Sequence, residues 1–411
     1  MRKVFLCCLL LACAGTMLAQ EQIRIWSGED SQRFTTSELL VSDDGETFTV
    51  GDNTFSVSTV DSIKVIHTVS VTFAGDTAMV DLGHAPGVTA SVDAAHVNLV
   101  STNTADELEF VVQGESPDGS LTYDGPLKCK FYLNGVNLVS QRGAAIDIQC
   151  GKRVDLILVD GTENVLADMV GGLQKAALYC KGHLEVSGGG SLTVTGNAKH
   201  AIGTKEYMLL KKSTGRITVN GAASDAMHIG QYFQMNGGTL NISGQMGDGI
   251  QVEIKTLDDD VTPDPSKENN GQTFINGGSL TIAAAADDTK GIKAPVDMVI
   301  SGGTFNITAS GAGSRGIQVA GNLTINEDNN PTLIQIRATG DMYEDPITED
   351  DTRCMGIRVK GNMTVLAGTV RVSNPGSGAR GIKIDGTYTA YTKSGSAAVS
   401  ASITAGARIE L

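Results

Sequence analysis

The sequence predicts an all-β fold, a right-handed parallel β-helix (solenoid) preceded by a short N-terminal module or cap. First, a small residue followed by an aliphatic one recurs at intervals of 25, 23, 42, 25, 40 and 25 residues. Second, Gly-Gly turns with alternating apolar and polar residues lie between these pairs. Third, the 50 glycines and the aromatic content of only 5% suit a narrow core of small aliphatic side chains. A period of this length marks stacked repeats in which no coil buries its apolar face alone.

The small–aliphatic pairs mark successive coils of the predicted solenoid. Two early pairs, Ala145-Ile146 and Ala177-Leu178, begin the series. Both long intervals contain an acidic insertion, at residues 258–270 and 341–351, which is either a solvated loop or a metal-binding loop. The later pairs are Ala201-Ile202, Ala226-Met227, Gly249-Ile250, Gly291-Ile292, Gly316-Ile317, Gly356-Ile357 and Gly381-Ile382.

The segments between the pairs have the chemistry of strands. In Gly277-Gly278-Ser279-Leu280-Thr281-Ile282, the glycines supply a turn, and the residues after them alternate between apolar and polar. Side chains two residues apart point to the same side of a strand, so this pattern indicates a half-buried strand. The segments are too short and too rich in Gly, Thr and Val for helices. A leucine-rich repeat is excluded because its Leu/Asn framework is missing.

The N-terminal region predicts export. Arg2 and Lys3 precede a short apolar stretch, which indicates a signal peptide over residues 1–19. A loose lipoprotein pattern ending at Cys13 leaves a lipid anchor as an alternative. Residues 20–70 lack the Gly-Gly period and form the predicted N-terminal module, and residues 71–411 form the predicted β-helix domain. We therefore expect a secreted or cell-surface protein of a bacterium.

Charge and cysteine usage restrict the partners. The formal net charge of −15 makes a nucleic-acid partner unexpected. No segment after the signal is apolar and long enough to span a membrane. The remaining cysteines lack metal-site spacing and are expected to be buried thiols, with a disulfide as the alternative in an exported chain. They are Cys129, Cys150, Cys180 and Cys354.

The chain from residue 128 to about 411 resembles a known family. The resemblance rests on Leu133-Asn134-Gly135-Val136, on the segments 161–168, 175–178 and 192–196, and on recurring Asp-Gly-Ile-type steps. These features are similar to those of the secreted bacterial carbohydrate-binding β-helix family related to family-nine pectate lyases. The resemblance implies bound calcium, affinity for plant-wall polysaccharides such as cellulose and polygalacturonate (pectin), and no established catalysis for most members.

Two outward columns are candidates for binding a polysaccharide. Counting from the aliphatic residues places His183, Tyr207 and Tyr232 in one column of successive coils. Sugar rings pack on aromatic planes, although such a stack also serves stability alone. Positions beside the aliphatic residues collect cations that match the carboxylates of a uronic-acid polymer, with solubility as the alternative role. These cations are Lys290, Lys293, Arg315, Arg358, Arg380 and Lys383.

Four aspartates are the candidate calcium ligands. Asp225 and Asp248 lie one coil apart, and Asp287 and Asp288 follow at the next turn. Calcium takes six to eight oxygen ligands, which several stacked carboxylates can supply. In the family the Asp before Gly-Ile is usual, whereas here Lys or Arg replaces it in later coils. We therefore expect structural calcium in the first coils of this face and question it in the last.

The expected function is non-catalytic polysaccharide binding, with two alternatives. A pectate lyase would use calcium and a Lys or Arg base, and Lys290 and Lys293 lie near Asp287 and Asp288. Carboxylates beside a lysine work against a base role, and no Ser-His-Asp or phosphate-loop pattern is present. A surface adhesin or scaffold is the second alternative, although a mere spacer would show mixed small polar residues in its outward columns.

Overall fold

A computed structural model describes residues 22–28, 30–35, 39–105, 108–172, 174–326, 331–344, 351–390 and 409–410. The predicted signal peptide, the lipid-anchor cysteine and residues 345–350 of the second insertion lie outside the described residues. In the described part the regular elements are all β-strands, apart from one short 3-10 helix, Val57–Thr59. The strands coil into a parallel β-solenoid of about 11 turns, so the predicted all-β solenoid is confirmed.

One 13-stranded sheet forms the first side of the solenoid, which we call face 1. Each predicted aliphatic position lies on it in register with the next, from Ile146 opposite Leu178 to Ile357 opposite Ile382. All its neighbouring strands are parallel except the first pair. The strands, in spatial order, are Val88–Asp93, His96–Ser101, Ser120–Asp124, Ile146–Ile148, Ala176–Cys180, His200–Thr204, Met227–Ile229, Ile250–Val252, Lys290–Ala294, Arg315–Val319, Met355–Val359, Arg380–Ile384 and Ile409–Glu410.

Two further strand columns form faces 2 and 3. Face 2 contains Arg153–Leu158, His183–Ser187, Met208–Leu210, Phe233–Met235, Leu323–Ile325, Met363–Val365 and Tyr388–Ala390. Face 3 contains Glu163–Asp168, Ser191–Gly196, Arg216–Ala222, Thr239–Ile242, Thr332–Ala338 and Thr369–Ser373. Five long strands run through both columns: Ser62–Ala74, Leu108–Ser116, Cys129–Ser140, Thr273–Ala284 and Met298–Ala309.

The core is a continuous stack of apolar side chains along the solenoid axis. Ile202, Met227 and Ile317 are each at most 1% exposed, and Met208 and Phe233 of face 2 are fully buried. At the N-terminal end Phe110 stacks on Phe131 with ring centroids 4.6 Å apart. Burying one aliphatic side chain contributes roughly 1.5–3 kcal/mol, so the repeated columns supply the stability of each coil.

Glycine is required in the later small–aliphatic pairs because adjacent coils approach closely there. A Cβ at Gly249 would lie 2.5 Å from the carbonyl oxygen of Gly291. The same contact recurs at Gly291, with the oxygen of Gly316, and at Gly316, with the oxygen of Gly356. Such distances are shorter than real Cβ contacts, so the repeated glycine follows from packing between coils.

The N-terminal strands form a small antiparallel unit in front of the coils. Its strands are Gln22–Ser27, Asp30–Thr35, Leu39–Val41, Thr47–Val50 and Asn53–Ser56. Ile25, Phe48 and Val50 belong to its own buried cluster. The strand Ser62–Ala74 pairs with Gln22–Ser27 and then with the first coil, so it crosses the module boundary expected at residue 70.

Antiparallel strands protect the N-terminal end of the coils. Val88–Asp93 covers the edge of face 1, and Thr77–Asp81 folds back on Ser62–Ala74. An open solenoid end would expose unpaired strand edges, so these strands meet the physical need for a cap. The guanidinium of Arg33 joins the module to the first coil through Glu109, at 2.8 Å.

The two insertions leave the solenoid as a loop and a hairpin, and the cysteines lie in its interior. The first insertion is a turn-rich loop with one bridge, from Thr256 to Pro263. The second is more than a longer turn, because Met342–Glu344 and Asp351–Arg353 pair as an antiparallel hairpin. All four expected cysteines are buried free thiols. The described residues contain no helix long and apolar enough to cross a membrane.

Candidate functional site

A ladder of polar side chains runs along the outward surface of face 1. Lys293 lies opposite Gln318, Gln318 opposite Arg358, and Arg358 opposite Lys383, one residue per coil. We call these four residues the basic ladder. Neighbouring parallel strands lie about 4.8 Å apart, so the ladder places hydrogen-bond donors at a regular spacing. Each of the four residues is half-buried.

A second row flanks this ladder where the chain turns into face 1. It places Lys290 beside Arg315, Arg315 beside Met355 and Met355 beside Arg380, as the sequence predicts. Lys290 is nearly buried, and its ammonium contacts the Asp288 carboxylate at 3.1 Å. The structure therefore brings the six predicted cations onto one half of face 1, although Lys290 is inaccessible to a large ligand.

Local partners orient the cations of this face. The Lys293 ammonium lies 3.3 Å from an Asp248 oxygen and 3.3 Å from the Gln251 side-chain oxygen. Arg358 donates to the Val359 carbonyl at 2.7 Å and pairs with Asp385. That contact lowers the pKa of Asp385, first through the hydrogen bond from Arg358 and then through its charge.

Arg315 is the most perturbed cation of the face. Burial lowers its pKa from the usual range, and the charge of Arg358 acts in the same direction, against that of Asp288. Its guanidinium donates to the side chain of Gln318. The Nε atom is buried and has no hydrogen-bond partner within the described chain. Arg315 is thus held rigidly beside the basic ladder.

A histidine–aspartate cluster lies two coils before the basic ladder on the same face. Asp225 Oδ2 lies 3.3 Å from His200 Nδ1 and 2.9 Å from His228 Nδ1. The two imidazoles stack with centroids 4.3 Å apart and an interplanar angle of 22°. His200 is only 3% exposed, and neither of its ring nitrogens has a hydrogen-bond partner among the described residues.

The two histidines differ in protonation. Burial, followed by repulsion from His228, lowers the pKa of His200 to about 4. Burial also opposes the charged form of His228, but the hydrogen bonds that it donates to Asp225 and Glu253 outweigh this effect and raise that pKa to about 9. At neutral pH the cluster therefore holds one neutral imidazole beside one imidazolium and a carboxylate.

The four aspartates predicted to bind calcium are engaged elsewhere. Asp225 Oδ1 accepts the Asp248 amide at 2.9 Å, and Asp248 Oδ1 accepts the Lys290 amide at 2.8 Å. Asp287 accepts the Ala312 amide at 2.8 Å, and Asp288 faces Lys290. Within the described ranges no three of these carboxylates form one close group. The donor set, with its ammonium and imidazole neighbours, does not fit the oxygen-rich shell that calcium requires.

The predicted aromatic column forms a continuous stack. The His183 and Tyr207 centroids lie 4.4 Å apart, and those of Tyr207 and Tyr232 lie 4.6 Å apart, all nearly parallel. Phe274 meets Tyr232 edge-on at 6.4 Å. The Tyr207 hydroxyl donates to Glu185 at 2.8 Å. Both faces of the Tyr207 ring are covered, so this stack does not offer the open aromatic plane on which a sugar ring packs.

Lys255 does not continue the aromatic column. Gln272 occupies the next position instead, since the amide of Phe233 bonds to its carbonyl at 3.2 Å. Lys255 lies just before the first insertion and pairs with Glu206 at 3.3 Å. Further along, Asp297 and Asn322 begin a ladder in which side-chain oxygens accept amides of the next coil. This part of the column is structural.

Sequence reasoning missed the histidine–aspartate cluster as a unit. Of the three residues, only Asp225 was predicted to bind a metal. The available signal was the three-residue spacing from Asp225 to His228, combined with His200 one coil earlier. It also missed Tyr179, which lies opposite Gly203 on face 1.

Comparison with known proteins identifies the family. Residues 96–402 match the family described as carbohydrate-binding domain-containing protein. Because the match spans most of the chain, the protein belongs to this family. A carbohydrate-binding domain-containing protein from Acetivibrio thermocellus is 30% identical over 120 residues, which are 27% of this chain and 41% of that relative. This chain thus covers less than half of the relative's length.

A solved structure shares the fold. The polysaccharide lyase-like protein from C. thermocellum, determined as a gadolinium derivative, aligns with a TM-score of 0.51 and 23% identity. The alignment covers 64% of this chain and 98% of that chain. The resemblance to a carbohydrate-binding β-helix family is therefore confirmed. The relation to family-nine pectate lyases and the presence of calcium stay predictions.

Proposed function

We propose that this protein binds an anionic plant-type polysaccharide, represented by polygalacturonate, on the basic half of face 1 without turning it over. The observation that carries the proposal is the basic ladder. Its cations and its amide recur once per coil, as carboxylates recur once per sugar along a uronic-acid polymer. Arg binds carboxylates through two parallel hydrogen bonds, and Lys provides a compact charge.

The surroundings of the ladder support a long ligand over a small one. Arg315 and Arg380 flank it, and the coils keep all these side chains on one flat surface. Long polymers gain affinity from several weak contacts in register, since each additional contact is intramolecular. The predicted export through residues 1–19 would place this face where extracellular polysaccharide occurs.

The aromatic stack is left out of the proposed binding surface. Tyr207 lies between His183 and Tyr232, and its hydroxyl is committed to Glu185. This favours an anionic polymer, held by charge, over cellulose, which binds through open aromatic planes. A scaffold role does not require the alignment of charge on one half of face 1.

A lyase is the second candidate, and Arg315 is the observation that favours it. Burial lowers the pKa of Arg315, which is the direction required of a proton-abstracting group beside a bound uronate. Lys290 and Lys293 suit that role less well, because each faces a carboxylate. A neighbouring carboxylate favours the charged form of a lysine, whereas a general base must be neutral.

The test is retention on polygalacturonate by the wild type and by Arg358→Gln/Lys383→Gln. Charge-assisted hydrogen bonds contribute about 1.5–3 kcal/mol each, so the double variant is expected to bind at least ten-fold more weakly. The matched control is Lys212→Gln/Arg216→Gln, which removes the same charge from exposed positions away from face 1. Equal weakening in both variants would indicate net charge alone and contradict a specific face.

The same experiment separates the remaining alternatives. Ultraviolet absorbance of an unsaturated product, followed with calcium and with chelator, is expected to stay flat. An increase in this absorbance that is lost in Arg315→Lys would establish the lyase instead. Loss of retention in chelator would support the calcium prediction. Retention on cellulose but not on polygalacturonate would overturn the choice of ligand.

A further inference from the structure

We propose that His200, Asp225 and His228 form a binding site for a borderline divalent transition-metal cation, of which Zn²⁺ is the best match. The three side chains come from two successive coils and converge on a single carboxylate oxygen. This site shares Asp225 with the predicted calcium site, but it adds two imidazoles and takes a different class of metal. It is independent of the proposed polysaccharide binding.

His200 has buried ring nitrogens without hydrogen-bond partners within the described residues. A buried polar atom without a partner costs roughly 1–3 kcal/mol, so such atoms are rare in folded proteins. His200 is 3% exposed, yet both of its ring nitrogens lack hydrogen-bond partners within the described residues. Its Nδ1 lies 3.3 Å from Asp225 Oδ2. A cation between these atoms would use the nitrogen lone pair that is otherwise buried unpaired.

The distances between the candidate ligand atoms also fit a zinc ion. Two ligands of a tetrahedral zinc ion lie about 3.3 Å apart, because Zn–N and Zn–O bonds are about 2.0–2.2 Å long. The contact between His200 Nδ1 and Asp225 Oδ2 equals this separation, at 3.3 Å. The contact from His228 Nδ1, at 2.9 Å, requires a small opening and the release of the Nδ1 proton, whose place the ion takes. The candidate ligand atoms of the three residues all lie within 4.8 Å of one another.

His228 has a second carboxylate partner, Glu253, on the side of the ring away from the cluster. Its Nε2 lies 3.5 Å from Glu253 Oε1, so Nδ1 faces the cluster while Nε2 faces a second carboxylate. Metal-bound histidines typically donate their other ring nitrogen to a carboxylate or carbonyl, which fixes the ring and strengthens the ligand. Glu253 is therefore a positioning residue of the proposed site.

The chemistry of the donors selects the metal. Imidazole suits Zn²⁺, Ni²⁺, Cu²⁺ and Co²⁺, whereas calcium and magnesium take oxygen. Asp225 supplies only one oxygen, because its Oδ1 accepts the Asp248 amide. Three protein ligands leave one position for water, and the His228 side chain, 26% exposed, gives access from solvent.

The test is zinc binding by the full protein, purified without a polyhistidine tag and stripped with chelator. Calorimetry is expected to give one Zn²⁺ per chain, and excess Ca²⁺ is not expected to displace it. His228→Gln should weaken binding more than 100-fold. Glu253→Gln should weaken it about 10–100-fold, as loss of an outer partner does. Co²⁺ should give visible ligand-field absorption in the wild type and none in His228→Gln.

The control is His96→Gln, which removes a histidine of the same face that contacts Ser120 and Asp118. It should bind Zn²⁺ as the wild type does. Circular dichroism and thermal unfolding of each variant show whether it folds. No stoichiometric Zn²⁺ in the wild type, or equal binding by folded His228→Gln, would overturn the proposal. Displacement by an equal concentration of Ca²⁺ would overturn the assigned class of metal.

Discussion

Tyr207 illustrates how one side chain decides between stability and ligand binding. The sequence correctly predicts that it shares a column with His183 and Tyr232, because strand periodicity fixes which residues face outward. The sequence does not fix ring orientation, which depends on neighbours one coil away. In the structure the rings stack on one another, and the Tyr207 hydroxyl bonds to Glu185.

We predict that Tyr207→Phe destabilises the protein by about 1–2 kcal/mol, because the bond to the Glu185 carboxylate is lost from a half-buried site. Urea unfolding measures the change in the free energy of unfolding. Tyr232→Phe is the matched control, since no hydrogen bond of the Tyr232 hydroxyl occurs within the described residues. Polygalacturonate retention should not change in either variant. A large loss of retention in Tyr207→Phe would contradict this and indicate that the aromatic stack takes part in polysaccharide binding.

At the scale of elements, the spacing of the repeats is explained by contact between coils. The small–aliphatic pairs could be predicted from the sequence, and their alignment on face 1 is confirmed. The need for glycine rather than alanine in the later pairs could not be predicted from the sequence, because it depends on a carbonyl oxygen of the next coil. The hairpin Met342–Glu344 with Asp351–Arg353 was likewise hidden in an acidic stretch without clear alternation.

We predict that Gly316→Ala destabilises the protein by about 1–3 kcal/mol, as overpacking does. The added Cβ would lie 2.6 Å from the Gly356 oxygen and 2.6 Å from Ile336 Cγ2. Gly151→Ala is the control, because a Cβ there meets nothing within 4 Å. Thermal unfolding compares the two. Equal melting temperatures would show that neighbouring coils can separate at no cost.

The ion cluster around Glu109 makes the junction between the module and the first coil sensitive to pH. Burial raises the pKa of Glu109, but the charges and hydrogen bonds of Lys130 and Arg33 outweigh it, so the pKa lies below the usual value. Their nitrogens lie 3.0 and 2.8 Å from its carboxylate. A carboxyl group with a lowered pKa stabilises the fold at pH values above its unfolded pKa.

We predict that Glu109→Gln lowers the free energy of unfolding by about 1–3 kcal/mol at neutral pH. The difference from the wild type should persist down to about pH 4.3, the usual value for glutamate, and vanish as the pH falls through the folded pKa. Unfolding in urea at several pH values measures it. A difference that stays constant with pH would mean that the amide, rather than the lost charge, causes the effect.

At the scale of the whole molecule, face 1 changes character along the solenoid axis. The coils that carry His200 and Asp225 offer imidazole and carboxylate groups, whereas those from Lys293 to Lys383 offer cations. Period and charge were sufficient to predict this basic half. The sequence places the members of the histidine–aspartate cluster in neighbouring coils, but the period does not determine the distances between their side chains.

The central claim is that the basic ladder recognises carboxylates of a polysaccharide. The most direct measurement compares binding of the wild type to polygalacturonate and to the same polymer after full methyl esterification, which removes its charge and keeps its backbone. We predict at least a ten-fold lower affinity for the ester and a strong fall in polygalacturonate affinity with added salt. Equal affinity for both polymers would contradict the account.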